Sequence, residues 1–175
     1  MAVAAPRALL ITGTVGAAKT TTATAIGDVL GESGVSHAVV DLDWLRRSWP
    51  TPHDDPSNLA LELQNLRAVA SNFVQAGAER LVLAGVLESE EVRGLYEHAV
   101  DLPLVVCRLQ VQLDRVDDRL RQRHPPGPEL DWHLARSGEL EQVLRTAAIG
   151  DHVVLVAEHS PEEVAREVLA AVGWL

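Results

Sequence analysis

Lysine is almost missing from this sequence. Its 15 basic residues are fourteen arginines and one lysine, Lys19. Cysteine also occurs once, as Cys107. No internal disulfide can form, and a reducing compartment is expected. Aromatics are 3% of the chain against 47% hydrophobic residues overall, so the core has to be aliphatic. Positive charge is short: 15 Lys and Arg face 25 Asp and Glu, a net charge of −10. That balance argues against nucleic acid as a partner, though it leaves room for a local basic pocket. No apolar run reaches the ~20 residues that span a bilayer, so no membrane partner is expected. Met1 to Pro6 is short and has no charged region ahead of it, unlike a secretory signal. The expectation is a soluble, cytoplasmic protein, monomer or homodimer.

What is present alternates. Apolar runs suited to strands lie near 8–12, 37–42, 80–86, 103–109 and 152–156. Ala38-Val39-Val40, Leu81-Val82-Leu83 and Val153-Val154-Leu155-Val156 are unbroken, as in strands covered on both faces. Helical segments fill the gaps. Leu59, Leu63, Leu66, Ala70 and Phe73 recur at spacings of three and four and stop before Gly77. Ser160-Pro161-Glu162-Glu163 combines an N-cap, a first-turn proline and a capping-box glutamate. Alternation of this kind predicts an α/β fold with a parallel sheet and right-handed crossovers. The 175 residues read as one domain, 1–175, large enough for a sizeable core. A Pro-rich stretch, His124 to Asp131, separates two helices and reads as a mobile loop within a lid spanning about 119–136.

The one lysine lies in Gly13-Thr14-Val15-Gly16-Ala17-Ala18-Lys19-Thr20-Thr21. Gly13, Lys19 and Thr20 match the phosphate-binding loop G-x-x-x-x-G-K-[ST], Gly16 matches a tighter G-x-x-G form, and Ala18 replaces the last glycine. A buried strand precedes the loop and a helix over 21–30 follows it. Loop amides and the helix N-terminus then form an anion-binding concavity. Lys19 reaches the β- and γ-phosphates, and the Thr20 hydroxyl suits Mg²⁺. If position 18 requires positive φ, its methyl costs about 1 kcal/mol or more.

Asp41 and Asp43 end the second strand, where parallel sheets face their ligands. Alternation puts both on one side, where one carboxylate could hold Mg²⁺ through water and the other accept a hydroxyl proton. Capping a helix over 43–49 is a second role open to Asp43, and it does not exclude the first. Arg46 is a candidate contact for an anionic substrate group, or a solvated charge like Arg47. Arg115, Arg119 and Arg123 are spaced i, i+4, i+8 before the Pro-rich loop. They suit closure over a transferring phosphoryl group, or surface pairing with Asp114, Asp117 and Asp118. The third strand ends without an acidic residue, and the role of Glu88 is open. His124, His133 and His159 have no metal-ligand spacing with Cys107, so no zinc site is read. Trp44, Trp49 and Trp132 read as packing residues. No N-K-x-D guanine motif exists, since the only lysine is in the loop.

The chain resembles the small P-loop kinases of metabolites and antibiotics: adenylylsulfate, gluconate and shikimate kinases and chloramphenicol phosphotransferase. Gly16-Ala17-Ala18-Lys19-Thr20-Thr21 is similar to the G-A-G-K-T-T run of adenylylsulfate kinases. Asp41-Leu42-Asp43-Trp44-Leu45-Arg46 is similar to their D-G-D-N-V-R element, and Arg119 to Arg123 to the arginines that begin the lid. Ala157 to Val164 resembles the turn bordering adenine, which makes His159 a nucleotide contact. The resemblance implies a three-layer α/β/α P-loop nucleoside triphosphate hydrolase fold with sheet order 2-3-1-4-5. It also implies ATP and Mg²⁺, and a small-molecule phosphate acceptor held by Asp43 and Arg46. Lys19, Asp43, Arg119 and Arg123 become the catalytic set; Gly13 to Thr21 bind nucleotide, and Thr20 with Asp41 the metal. Ala18 and the missing strand-three acid leave a second reading, a nucleotide-binding sensor or regulator that transfers little or nothing.

Overall fold

A computed structural model describes residues 5–156 and 158–175. Five strands, β1 (Arg7–Thr12), β2 (His37–Asp41), β3 (Arg80–Ala84), β4 (Leu104–Gln110) and β5 (His152–Leu155), form one sheet in the order β2-β3-β1-β4-β5. Every neighbouring pair is parallel. Among the described residues, seven helices connect and cover it: α1 (Lys19–Glu32), α2 (Leu42–Leu45), α3 (Leu59–Gln75), α4 (Glu90–Val100), α5 (Leu113–Arg123), α6 (Pro128–Thr146) and α7 (Pro161–Ala171). The expected sheet order is observed.

Strand alternation divides the core into two layers. In central β1, Leu9 and Ile11 join one cluster with α1 and α7, while Ala8 and Leu10 join the other with α3, α4 and α6. All four are fully buried, as a two-sided parallel sheet requires. Burying a leucine or isoleucine side chain contributes roughly 1.5–3 kcal/mol, which explains how an aliphatic chain with few aromatics holds together. Local signals set the ends of elements. The capping box is formed: the Glu163 amide donates to Ser160 Oγ (3.2 Å) and the Ser160 amide to Glu163 Oε2 (2.7 Å).

Three expectations need correction. The apolar stripe of α3 buries Leu66 and Ala70 as expected, but Phe73 at its end is 38% exposed, and the acidic Glu62 is buried beside the stripe. The Pro-rich loop is only 124–127, because Pro128 begins α6 and Asp131 lies in its first turn. Trp44, Trp49 and Trp132 are all exposed, not packed. No helix among the described residues is long and apolar enough to cross a membrane.

Candidate functional site

The loop from Gly13 to Ala18 joins β1 to α1 at the C-terminal edge of the sheet. Gly13 has φ 155°, and a Cβ there would lie 2.8 Å from the Leu109 carbonyl oxygen. Gly16 has φ 79°, and a Cβ would meet Val116 Cγ1 at 3.0 Å. Both glycines are therefore required by close packing of the loop on β4 and α5 as well as by backbone conformation. Thr14 is buried, and its hydroxyl donates to the Ser137 carbonyl of α6 (2.6 Å). The loop is thus tied to an element 123 residues away in sequence.

Ala18 is the N-cap of α1 at φ 65°, ψ 31°, the left-handed region, so the strained alternative applies. It supplies no side-chain cap, and the first turn of α1 holds no acidic residue. The first-turn amides of Lys19, Thr20 and Thr21 precede the first intrahelical bond, from the Thr22 amide to Ala18. The helix thus offers a set of donors and a positive dipole end with no carboxylate of its own first turn beside them.

Lys19 Nζ donates to the Thr14 (2.9 Å) and Gly13 (3.2 Å) carbonyls. Burial lowers its pKa to about 8, against the opposing pull of Asp43 and Asp41. Thr20 Oγ1 donates to Asp41 Oδ2 (2.7 Å), and Asp41 Oδ1 accepts from the Asp43 amide (2.9 Å). The cap of α2 is consequently Asp41, not Asp43. β2 ends at Asp41, so strand alternation does not govern Asp43; the α2 turn presents it instead. Its side chain is 70% exposed and 3.9 Å from Arg46.

A cleft of about 400 Å³ brings these parts together. Lys19, Thr20 and Thr21 form one wall, Asp43 and Arg46 another, and Arg123, Trp132 and Arg136 face them from α5 and α6. A second cavity, about 460 Å³, lies on the far side of Ala18 and Thr21 against Arg119 and Arg123. Arg119 donates to the Gly16 carbonyl at 3.4 Å, and neither it nor Arg123 forms an ion pair among the described residues. Arg115 pairs with Glu158 (2.8 Å), away from the expected Asp partners. His159 lines neither cavity; its nearest partner is Glu167, 3.9 Å away.

Sequence reading missed Glu62. It is buried on α3, pairs with Arg46, and accepts from the Tyr96 hydroxyl (2.6 Å). Arg46 is therefore neither a loose surface charge nor an unengaged substrate contact. Burial raises the Glu62 pKa, with Tyr96 and Arg46 opposing. The only hint was a charge at an inward helical position. The missing acid after β3 has a steric reason: a Cβ at Gly85 would lie 2.6 Å from Leu42 Cδ1. Glu88, whose role was open, accepts from Arg136 of α6 at 2.5 Å and lines the cleft.

The sequence matches no protein-family model and has no significant match among curated proteins. Solved structures are informative. A tunicamycin resistance protein from Deinococcus radiodurans superposes with TM-score 0.69 at 19% identity, covering 96% of both chains. A gluconokinase from Sinorhizobium meliloti gives 0.64 at 18%, covering 98% of this chain and 94% of its own. The Mycobacterium tuberculosis APS kinase, solved with AMPPNP and APS, gives 0.63 at 20%, covering 97% and 99%. This is the fold of the P-loop small-molecule kinases. In that fold the glycine turn, α1 and the Asp41–Arg46 segment occupy one edge of the sheet, which is where the cleft lies.

Proposed function

We propose that the protein is an ATP-dependent phosphotransferase that moves the γ-phosphoryl group to a hydroxyl of a small metabolite or antibiotic. The observation that carries this reading is the single cleft shared by Lys19 and Thr20 on one side and Asp43 and Arg46 on the other. The donor set fits both groups implied by the fold. Amides of the first turn of α1 and the Lys19 ammonium suit polyphosphate, and Thr20 with Asp41 offers the hard oxygens that Mg²⁺ prefers. Bound Mg²⁺ supplies charge neutralisation on the phosphate oxygens.

The chain's own residues do the rest. Lys19 leaves its loop carbonyls and turns its charge to the phosphates. Asp41 holds Thr20 and the start of α2 at once, which fixes the distance between donor and acceptor sides. Asp43 orients the acceptor hydroxyl and takes its proton. Arg46, held by Glu62, contributes a directed charge to the acceptor. Arg123 and Arg119, both without carboxylate partners among the described residues, balance negative charge over the nucleotide side. Phosphoryl transfer needs positioning more than a strong base, and each of these is a positioning device. His159 remains a proposed border to the adenine ring.

The test is ADP release from ATP and Mg²⁺ over a panel of hydroxylated metabolites and antibiotics. Asp43→Asn should lower turnover about 10²–10⁴-fold, the range of a lost general base, with nucleotide affinity nearly unchanged. Ala18 in the left-handed region favours a second reading, a nucleotide-binding regulator with little transfer. Nucleotide binding without acceptor-dependent ADP release across the panel supports that one.

A further inference from the structure

The geometry points to a second metal site, for a transition metal of the Zn²⁺ class, built from His124, Glu129 and His133 where α5 passes into α6. One ligand atom from each residue lies within 4.8 Å of the other two, and among the described residues no other group of three does so. His124 Nδ1 is 3.3 Å from Glu129 Oε1, and His133 Nε2 is 3.9 Å from the same oxygen. Ligands at about 2.0–2.1 Å around a tetrahedral ion lie roughly 3.3–3.4 Å apart, so side-chain rotations that draw the three atoms together and unstack the two rings close the set.

The sequence makes the arrangement by two devices. Glu129 and His133 are i and i+4 on α6 and share a face. His124 caps the end of α5 and is carried back over that face by Pro125-Pro126-Gly127, in which the prolines restrict φ and Gly127 takes φ 154°. The two imidazoles are stacked, with centroids 4.3 Å apart. His133 Nδ1 is buried without a hydrogen-bond partner, so no protein bond at that nitrogen holds the ring against the rotation that ligation needs. Two imidazoles and a carboxylate suit Zn²⁺, Co²⁺ or Ni²⁺ and not Mg²⁺, which requires octahedral oxygen. Three protein ligands leave a fourth position for water, on the side where Glu129 is exposed. Arg123 and the positive end of the α6 dipole oppose a dication there; Glu129 and Asp131 in the first turn offset them. This site is distinct from Thr20 and Asp41. Because Arg123, Trp132 and His133 all line the phosphate cleft, an ion here locks the α5–α6 corner that forms its third wall.

The experiment uses the full chain stripped of metal, titrated with Zn²⁺ alone in the presence of excess Mg²⁺, by calorimetry and by competition with a chromophoric chelator. One equivalent should bind saturably, and Co²⁺ should give the visible absorption of a four-coordinate ion. His133→Asn and His124→Gln should each weaken binding about tenfold or more, and Glu129→Gln less. Circular dichroism shows whether the variants fold; Zn²⁺ protection of His124 and His133 from diethyl pyrocarbonate in the unaltered chain covers the case where they do not. Absence of one-equivalent binding overturns the proposal. So does binding that both histidine substitutions leave unchanged, or, if the variants do not fold, histidines that Zn²⁺ fails to protect.

Discussion

Lys19 is the residue on which the phosphate reading turns, and its protonation gives it a pH signature. Its pKa in the fold is about 8 against 10.5 for a free side chain. Between those values the unfolded chain binds the extra proton, so unfolding free energy should rise with pH from about 8 to 10.5. Lys19→Met should flatten that rise in denaturant titrations run across the window. Nucleotide binding prefers the charged ammonium. ATP affinity should therefore fall as pH passes about 8, with proton uptake visible as a buffer-dependent heat in calorimetry. At pH 7, Lys19→Ala should weaken nucleotide binding by more than 1.4 kcal/mol, about tenfold. Ala18 makes the opposite kind of test. At φ 65° it holds a conformation that costs an L-residue about 1–2 kcal/mol, and Ala18→Gly removes both this strain and a methyl beside the phosphates. The Kd for ATP should drop; a rise would falsify the strain account.

Elements decide how firmly the cleft is held. The Thr14–Ser137 bond fastens the phosphate loop to α6, and both partners are buried. Thr14→Val removes this bond, while the Ser137 carbonyl keeps its partner within α6, and should destabilise the fold by about 0.5–1.5 kcal/mol in chemical denaturation, with Thr14→Ser near wild type. Glu62 fastens α3 to Arg46 and, through Tyr96, to α4. Glu62→Ala strands the buried Tyr96 hydroxyl and the half-buried Arg46 guanidinium and should cost about 2 kcal/mol. Glu62→Gln keeps an acceptor for Tyr96 and should cost less. If the acceptor is anionic, both should raise its KM, since Arg46 loses the partner that aims it.

For the whole molecule the expectation is linkage. ATP or ADP at a hundred times its Kd should stabilise the chain by about 2.7 kcal/mol and raise Tm by roughly 5–10 °C, and Lys19→Ala should abolish most of the shift. The fold was legible in the sequence because local rules suffice for it. Unbroken apolar runs with periodic helices between them dictate a parallel sheet, and the glycine turn before Lys19 marks its ligand edge. What lay beyond the sequence are contacts between elements distant along the chain. Glu62 under Arg46, Thr14 on Ser137 and Glu88 on Arg136 each join segments 16 to 123 residues apart. No periodicity encodes such pairs. Asp43 was identified as a candidate, but by strand alternation that ends at Asp41; the α2 turn presents it. His124 and His133 were set aside because no linear spacing joined them to Cys107, and only the α5–α6 corner brings them to Glu129. The sequence by itself determined the alternating strands and helices of a parallel sheet and the glycine turn between β1 and α1, because hydrophobic period and glycine chemistry are local. The tertiary structure alone decided which charges meet, because burial and pairing depend on where separate helices come to rest.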